Sequence, residues 1–146
     1  VIVDVKLEQD VDYGDAMAMI SIERPDSIKG EMPMSSDSVY CELMSGPVHE
    51  SSIRTPKTGH GKKADFTEKN GKVYVEGTMK VSYNTKKEEF ICGLETQKGV
   101  KEVSQDKATE TQAYVIVLRS GMHTPGLEGP TSGNFEVRFD NLDVQR

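Results

Sequence analysis

The sequence predicts an all-β protein, an antiparallel two-sheet sandwich of about seven to nine strands. Three observations predict it. Apolar and polar residues alternate with a period of two in several segments, as in strands with one buried face. Glycine- and proline-bearing stretches separate those segments. No window of helical length shows a 3.6-residue apolar period; "VKEVSQDKATETQ" (100–112) comes nearest and is polar nearly all round.

The first strand is "VIVDVKLE", with Val1, Val3, Val5 and Leu7 on one face and Ile2, Asp4, Lys6 and Glu8 on the other. "DAMAMISIE" sets Ala16, Ala18, Ile20 and Ile22 against Met17, Met19 and Ser21. "SVYCELM" groups Val39, Cys41 and Leu43. "KVYVEGTMKVSY" is a long strand with Val73, Val75, Gly77, Met79, Val81 and Tyr83 on its buried face, and Gly77 suggests a bulge. "EFICGLE" groups Phe90, Cys92 and Leu94. "AYVIVL" (113–118) is apolar on both faces, which predicts a central strand covered on both sides. "NFEVRFDNLDVQ" closes the chain, with Phe135, Val137 and Phe139 together, then an Asp-Asn step, then Leu142 and Val144. At 146 residues these strands fit one domain, 1–146, able to bury a sizeable core.

A phrase recurs: "VYCELMSGPVH" (39–49) and "AYVIVLRSGMH" (113–123), with Tyr40 and Tyr114 separated by 74 positions. A duplicated half-sandwich, 1–73 and 74–146, fits that spacing. Strand alternation alone also supplies most of the identities.

Composition narrows the function. The formal net charge is −6, against a nucleic-acid partner, which calls for a concentrated basic surface. The one small basic cluster, Lys57, Lys62 and Lys63, is diluted by Gly and Thr and followed by Asp65. No apolar run approaches the roughly 20 residues of a membrane-spanning helix. The chain opens on Val1 rather than methionine, as a processed or trimmed form would, so a signal peptide is not visible.

Chemistry-bearing residues are sparse. His49 and His123 end the two echoed phrases, and His60 sits in "TGHGKK". Loop tips on a rigid sandwich are where binding residues gather, so these three, with Arg54 and Tyr13, are the ligand-binding candidates. Their spacing matches no recognised zinc site, and no G-x-S-x-G elbow is present. Asp10, Asp12 and Asp15 surround Gly14 in "DVDYGD", an arrangement that could gather oxygens round calcium or could be a hairpin turn. Cys41 and Cys92 both fall on core faces, where they could form an inter-sheet disulfide or remain buried thiols.

The closing "FDNLDV" (139–144) resembles the last strand of jelly-roll and concanavalin A-like sandwiches, which often end on F-D-N-x-x-V and many of which bind carbohydrate. The resemblance implies a jelly-roll-like architecture, a glycan ligand and a structural calcium near the matching acidic residue, Asp140. Such modules usually stack sugars on Trp or Tyr; Trp is absent here and five Tyr remain. The expectation is therefore a non-enzymatic module outside the cell or on a particle or cell surface, binding a glycan or a surface ligand. The alternatives are a self-assembling filament, coat or particle subunit pairing through its strands, and a polysaccharide-active or metal-dependent hydrolase or lyase.

Overall fold

The computed structural model describes residues 1–10, 15–23, 39–45, 52–55, 62–64, 66–106, 115–123 and 134–145. Among them are eleven strands and no helix: β1 (Ile2–Asp10), β2 (Asp15–Glu23), β3 (Val39–Ser45), β4 (Ser52–Arg54), β5 (Lys62–Lys63), β6 (Thr67–Lys69), β7 (Lys72–Asn84), β8 (Glu89–Thr96), β9 (Gly99–Asp106), β10 (Val115–His123) and β11 (Phe135–Asp143). Eight are seven residues or longer, within the expected number, and three are short additions.

The strands form two antiparallel sheets. Sheet A runs β11-β1-β7-β8-β9, with β6 also paired to β7; sheet B runs β10-β2-β3-β4-β5. Alternation explains how they pack. Val3, Val5 and Leu7 of β1, Val75, Met79 and Val81 of β7, and Cys92 and Leu94 of β8 point inward from sheet A. Ala16, Ala18 and Ile20 of β2, Cys41 and Leu43 of β3, and Ile53 of β4 meet them from sheet B. Each fully buried Leu or Ile in this layer contributes roughly 1.5–3 kcal/mol over an exposed one. The cysteines are bonded: Cys41 on β3 joins Cys92 on β8 across the layer, with Cα atoms 5.2 Å apart. At the end of the layer, Oε1 of Gln9 accepts hydrogen bonds from the Ala16 N–H and the Ser45 hydroxyl, both at 2.8 Å. This polar bridge fastens β1 to both leading strands of sheet B.

The turns follow local chemistry. Asn70 and Gly71 connect β6 to β7 with φ of 55° and 73°, the positive pair that a tight hairpin requires. Asn84 accepts from the Lys86 and Lys87 amides and so shapes the β7–β8 turn.

Three expectations change. Gly77 is not a bulge, since β1 and β7 stay in one register from Ile2↔Lys80 to Asp10↔Lys72. It is a close approach instead: a Cβ there would lie 2.3 Å from the Glu95 carbonyl oxygen. The bulge falls in β11, where the register with β1 shifts by one between Asp4↔Asp140 and Ile2↔Asp143, and Asn141 takes φ of 51°. Leu142 and Val144, past that bulge, are about half exposed rather than core.

The third concerns β10, which is not central: among the described residues its one paired neighbour is β2. Its two apolar faces are both partly covered because sheet B is buried on both sides. Met19, Ser21, Glu23, Glu42 and Met44 lie on the face away from the core, and all are buried. The helix-like window from Val100 begins as β9, because Val103 and Gln105 turn inward beside Cys92 and Phe90. The echoed phrases supply β3 and β10, which flank β2 on opposite sides. The boundary between halves 1–73 and 74–146 falls inside β7.

Candidate functional site

The outer face of sheet A is where side chains that can bind and exchange hydrogen bonds converge. From Asp4 to Glu8 on β1, Tyr74 to Thr78 on β7 and Glu136 to Asp140 on β11 the positions opposite the core are polar, and antiparallel register sets them in rows. Asp140, Asp4 and Thr78 form one row, Arg138, Lys6 and Glu76 the next, and Glu136, Glu8 and Tyr74 the third. All of these except Glu8 and Glu136 line an open groove of about 890 Å³. β1 and β7 supply the floor, β11 supplies Arg138, Asp140 and Asn141 on one side, and Thr67 with Glu95–Lys98 closes the other.

A gap in the sheet deepens the groove. On the side of β7 away from β1, β6 pairs with Lys72–Tyr74 and β8 pairs with Thr78–Asn84. Between them, Val75–Gly77 have no ladder partner on that side among the described residues. Val1 and Val81 exchange backbone hydrogen bonds, so odd-numbered residues of β7 face β1. The N–H and C=O of Glu76 therefore point into the gap. Gly77 makes room for the Glu95 carbonyl at the same place.

The β11 bulge organises the opposite side, because a bulge re-aims the side chain it carries. Asn141 turns back and its Nδ2 donates to Asp4 Oδ2 at 2.8 Å, while the Thr78 hydroxyl donates to Asp4 Oδ1 at 2.8 Å. These two donors hold the Asp4 carboxyl below the ordinary range, so it is a fixed acceptor. Asp140 takes the Asn141 N–H at 2.8 Å. At the edge of the groove, Lys72 donates to Glu8 at 2.5 Å, and this contact lowers the Glu8 pKa and raises that of Lys72.

A second polar cluster lies on sheet B's outer, buried face. Arg119 of β10 reaches along β2 and pairs with Glu23 through both guanidinium nitrogens, the Nη2–Oε2 bond being 3.0 Å. The Ser21 hydroxyl sits between them, bonded to both. Burial pushes the Glu23 carboxyl upward, but hydrogen bonds from Arg119 and Ser21 and the Arg119 charge outweigh it, leaving the pKa below the ordinary value. Glu23 is 1% exposed. A pair this enclosed is a fastening of β10 to β2.

Among the described residues, Asp140 is the one binding or metal candidate from the sequence that lies in the groove. Asp10 is on the same sheet face but at the far end of β1, where its Oδ2 accepts from the N–H and Nδ2 of Asn134. It is thus six residues along β11 from Asp140, too far to share an ion with it. Asp15 opens β2 in the other sheet, opposite His123 in register, and Arg54 stands opposite Glu42 on β4. The side chains of Asp15, His123 and Arg54, and the whole of Asp12, Tyr13, His49 and His60, lie outside the described residues. Among the described residues no three His, Cys, Asp or Glu side chains are placed to hold a metal ion. Sequence reading passed over Asp4, Lys6, Tyr74, Glu76, Thr78 and Arg138. Their signal in the sequence is the polar half of the alternation, which by itself marks only the face away from the core.

No family model matches the chain, and no match was found among curated proteins or solved structures. No helix among the described residues is long and apolar enough to cross a membrane.

Proposed function

We propose that the protein is a non-enzymatic carbohydrate-binding module that holds a glycan along the outer face of sheet A. The observation that carries this reading is the groove itself, open to solvent and lined by fixed acceptors and donors in alternating rows. Sugar hydroxyls both donate and accept. Asp4, Glu76, Glu95 and Asp140 offer carboxylates to paired hydroxyls, while Lys6, Lys98, Arg138 and Asn141 offer donors. Tyr74 supplies an aromatic plane for the C–H face of a pyranose ring. Acid and base are nearly balanced in the groove, and the chain carries −6 overall, so a neutral glycan fits better than a polyanion. The buried inter-sheet disulfide supports a setting outside the reducing cytosol.

A glycan array followed by calorimetry tests the proposal. Tyr74→Ala is expected to weaken the best ligand roughly three- to tenfold through loss of stacking. Glu76→Gln, which removes a charged acceptor, is expected to weaken it by about tenfold or more. Lys87→Ala, in the β7–β8 turn, is expected to leave affinity unchanged. A flat array response, or affinity that ignores Tyr74 and Glu76, refutes it.

A further inference from the structure

We propose that the groove takes a glycan bearing a single acidic sugar, whose carboxylate sits between Lys6 and Arg138. The inference rests on the glycan reading and names the chemistry of its ligand. The register of β1 and β11 points to it. On the outer face three pairs look directly across these strands, and each carries like charges: Asp4↔Asp140, Lys6↔Arg138 and Glu8↔Glu136. Facing like charges destabilise a sheet, whereas opposite charges at the same positions stabilise it. The attractive contacts run elsewhere: Arg138 donates from Nε to Glu136 on its own strand, and Lys72 of β7 pairs with Glu8. The face is therefore banded, with two cations side by side between two rows of carboxylates.

The middle band keeps capacity for an anion. Lys6 stands between Arg138 of β11 and Glu76 of β7, yet its ammonium makes no ion pair among the described residues. Arg138 is 69% exposed, and its bond to Glu136 uses Nε, so both Nη groups remain for a ligand. Both cations line the groove. The Asp10 N–H bonds to the Asn134 carbonyl, so every second pair from there, Lys6↔Arg138 included, is a hydrogen-bonded one. Cα atoms in such pairs lie about 5.5 Å apart, the wider of the two spacings, which leaves room between the side chains. A carboxylate seated there takes donors from the ammonium and the guanidinium at once. Glu76 bounds the band on the β7 side, so the seat lies toward β11. The adjoining rows set the limit. The groove runs along the strands, and successive rows lie two residues, about 7 Å, apart. A second carboxylate further along meets Asp4 with Asp140, or Glu8 with Glu136, and is repelled. Asp4 is a fixed charge, because donors from Asn141 and Thr78 hold its carboxyl below the ordinary range. One negative charge is accepted and a run of them is not.

Calorimetry with a glycan-array hit made in three matched forms tests the proposal: no acidic sugar, one uronic acid, and uronic acid throughout. The single-acid form is expected to bind roughly tenfold tighter than the neutral one, and the polyuronate no tighter than the neutral one. Raising salt from about 50 mM to about 500 mM is expected to remove most of that advantage. Lys6→Gln and Arg138→Gln are each expected to cost the single-acid form roughly fivefold or more beyond what they cost the neutral form. Each variant relieves a facing cation pair, so melting temperatures are expected to hold, which keeps a loss of affinity from being read as misfolding. Equal binding of the neutral and single-acid forms overturns this inference and leaves the glycan reading standing, as does an acidic preference that survives both variants. A polyuronate that binds tightest also overturns it, by showing the flanking rows without effect. An array with no response removes the glycan reading and this inference together.

Discussion

Removing the Arg119 guanidinium tests whether the sheet B cluster fastens β10 as the geometry indicates. Arg119→Met keeps most of the side-chain volume but leaves the Glu23 carboxylate, 1% exposed, with the Ser21 hydroxyl as its remaining partner in the cluster. Breaking a buried pair in this way costs about 3–5 kcal/mol, which is a large part of the roughly 5–15 kcal/mol that stabilises a typical domain. The pH dependence carries the sharper signature. In the native chain the Glu23 pKa lies below its ordinary 4.5, so its contribution is fully present above that value and is lost as pH falls through the folded pKa. Without Arg119, burial dominates and raises the folded pKa above the unfolded one. The variant is then penalised at neutral pH and relieved on acidification. Urea unfolding of both chains is therefore expected to show a gap of about 3–5 kcal/mol near pH 7 that narrows as pH falls toward 4. The double variant Glu23→Gln with Arg119→Met is expected to recover much of the loss, since it leaves no buried charge. A loss below about 1 kcal/mol at pH 7, or a gap independent of pH, refutes the reasoning.

Joining Cys41 to Cys92 closes a loop of 51 residues, and chain-entropy reasoning gives about 4 kcal/mol of stabilisation. Replacing both cysteines with Ala is expected to lower the unfolding free energy by about that amount in denaturant titrations run without reductant. Gly77→Ala drives a methyl group against the Glu95 carbonyl and is expected to destabilise by about 1–3 kcal/mol, with weaker glycan binding because the groove gap must shift. Thermal melts and calorimetry on the same sample separate the two effects.

Most of the architecture could be read from the chain because a strand with one wet face records its own orientation. Val3, Val5 and Leu7 announce a core side, and Asp4, Lys6 and Glu8 announce the other. The same record is silent on pairing order. Nothing local to "AYVIVL" tells a central strand from an end strand whose sheet is buried on both faces, and among the described residues β10 is the latter. Gly77 shows a related limit: its period-two neighbours reveal a strand, but the reason for glycine is a carbonyl eighteen positions later, visible only in three dimensions. The site was hidden for the opposite reason. Its residues were individually ordinary polar positions on three strands far apart in sequence, and register alone puts Asp4, Thr78 and Asp140 side by side. Histidines and acidic turns drew notice because their chemistry is conspicuous one residue at a time. Arg119 and Glu23 carried a stronger signal, a charge at an alternation position within an otherwise apolar strand, which calls for a buried partner of opposite sign.

The two sheets differ in what they leave available to a ligand, and the difference follows from what each buries. Sheet B is covered on both faces, so its polar residues must find partners internally; Glu23, Ser21 and Arg119 do so and become a fastening with little left for a ligand. Sheet A is covered on one face, so its outer residues keep spare hydrogen-bonding capacity, as the backbone groups of Glu76, which have no ladder partner on that side among the described residues, and the open side of the Asp4 row illustrate. The disulfide ties sheet A to sheet B through β8 and β3, while the Gln9 bridge ties them at the end of β1. A shallow groove on one face of a sheet holds a ligand weakly unless that face is rigid, and rigidity comes from those two ties: the Cys41–Cys92 bond fixes β8 against β3, and the Gln9 bridge fixes the end of β1 against β2 and β3.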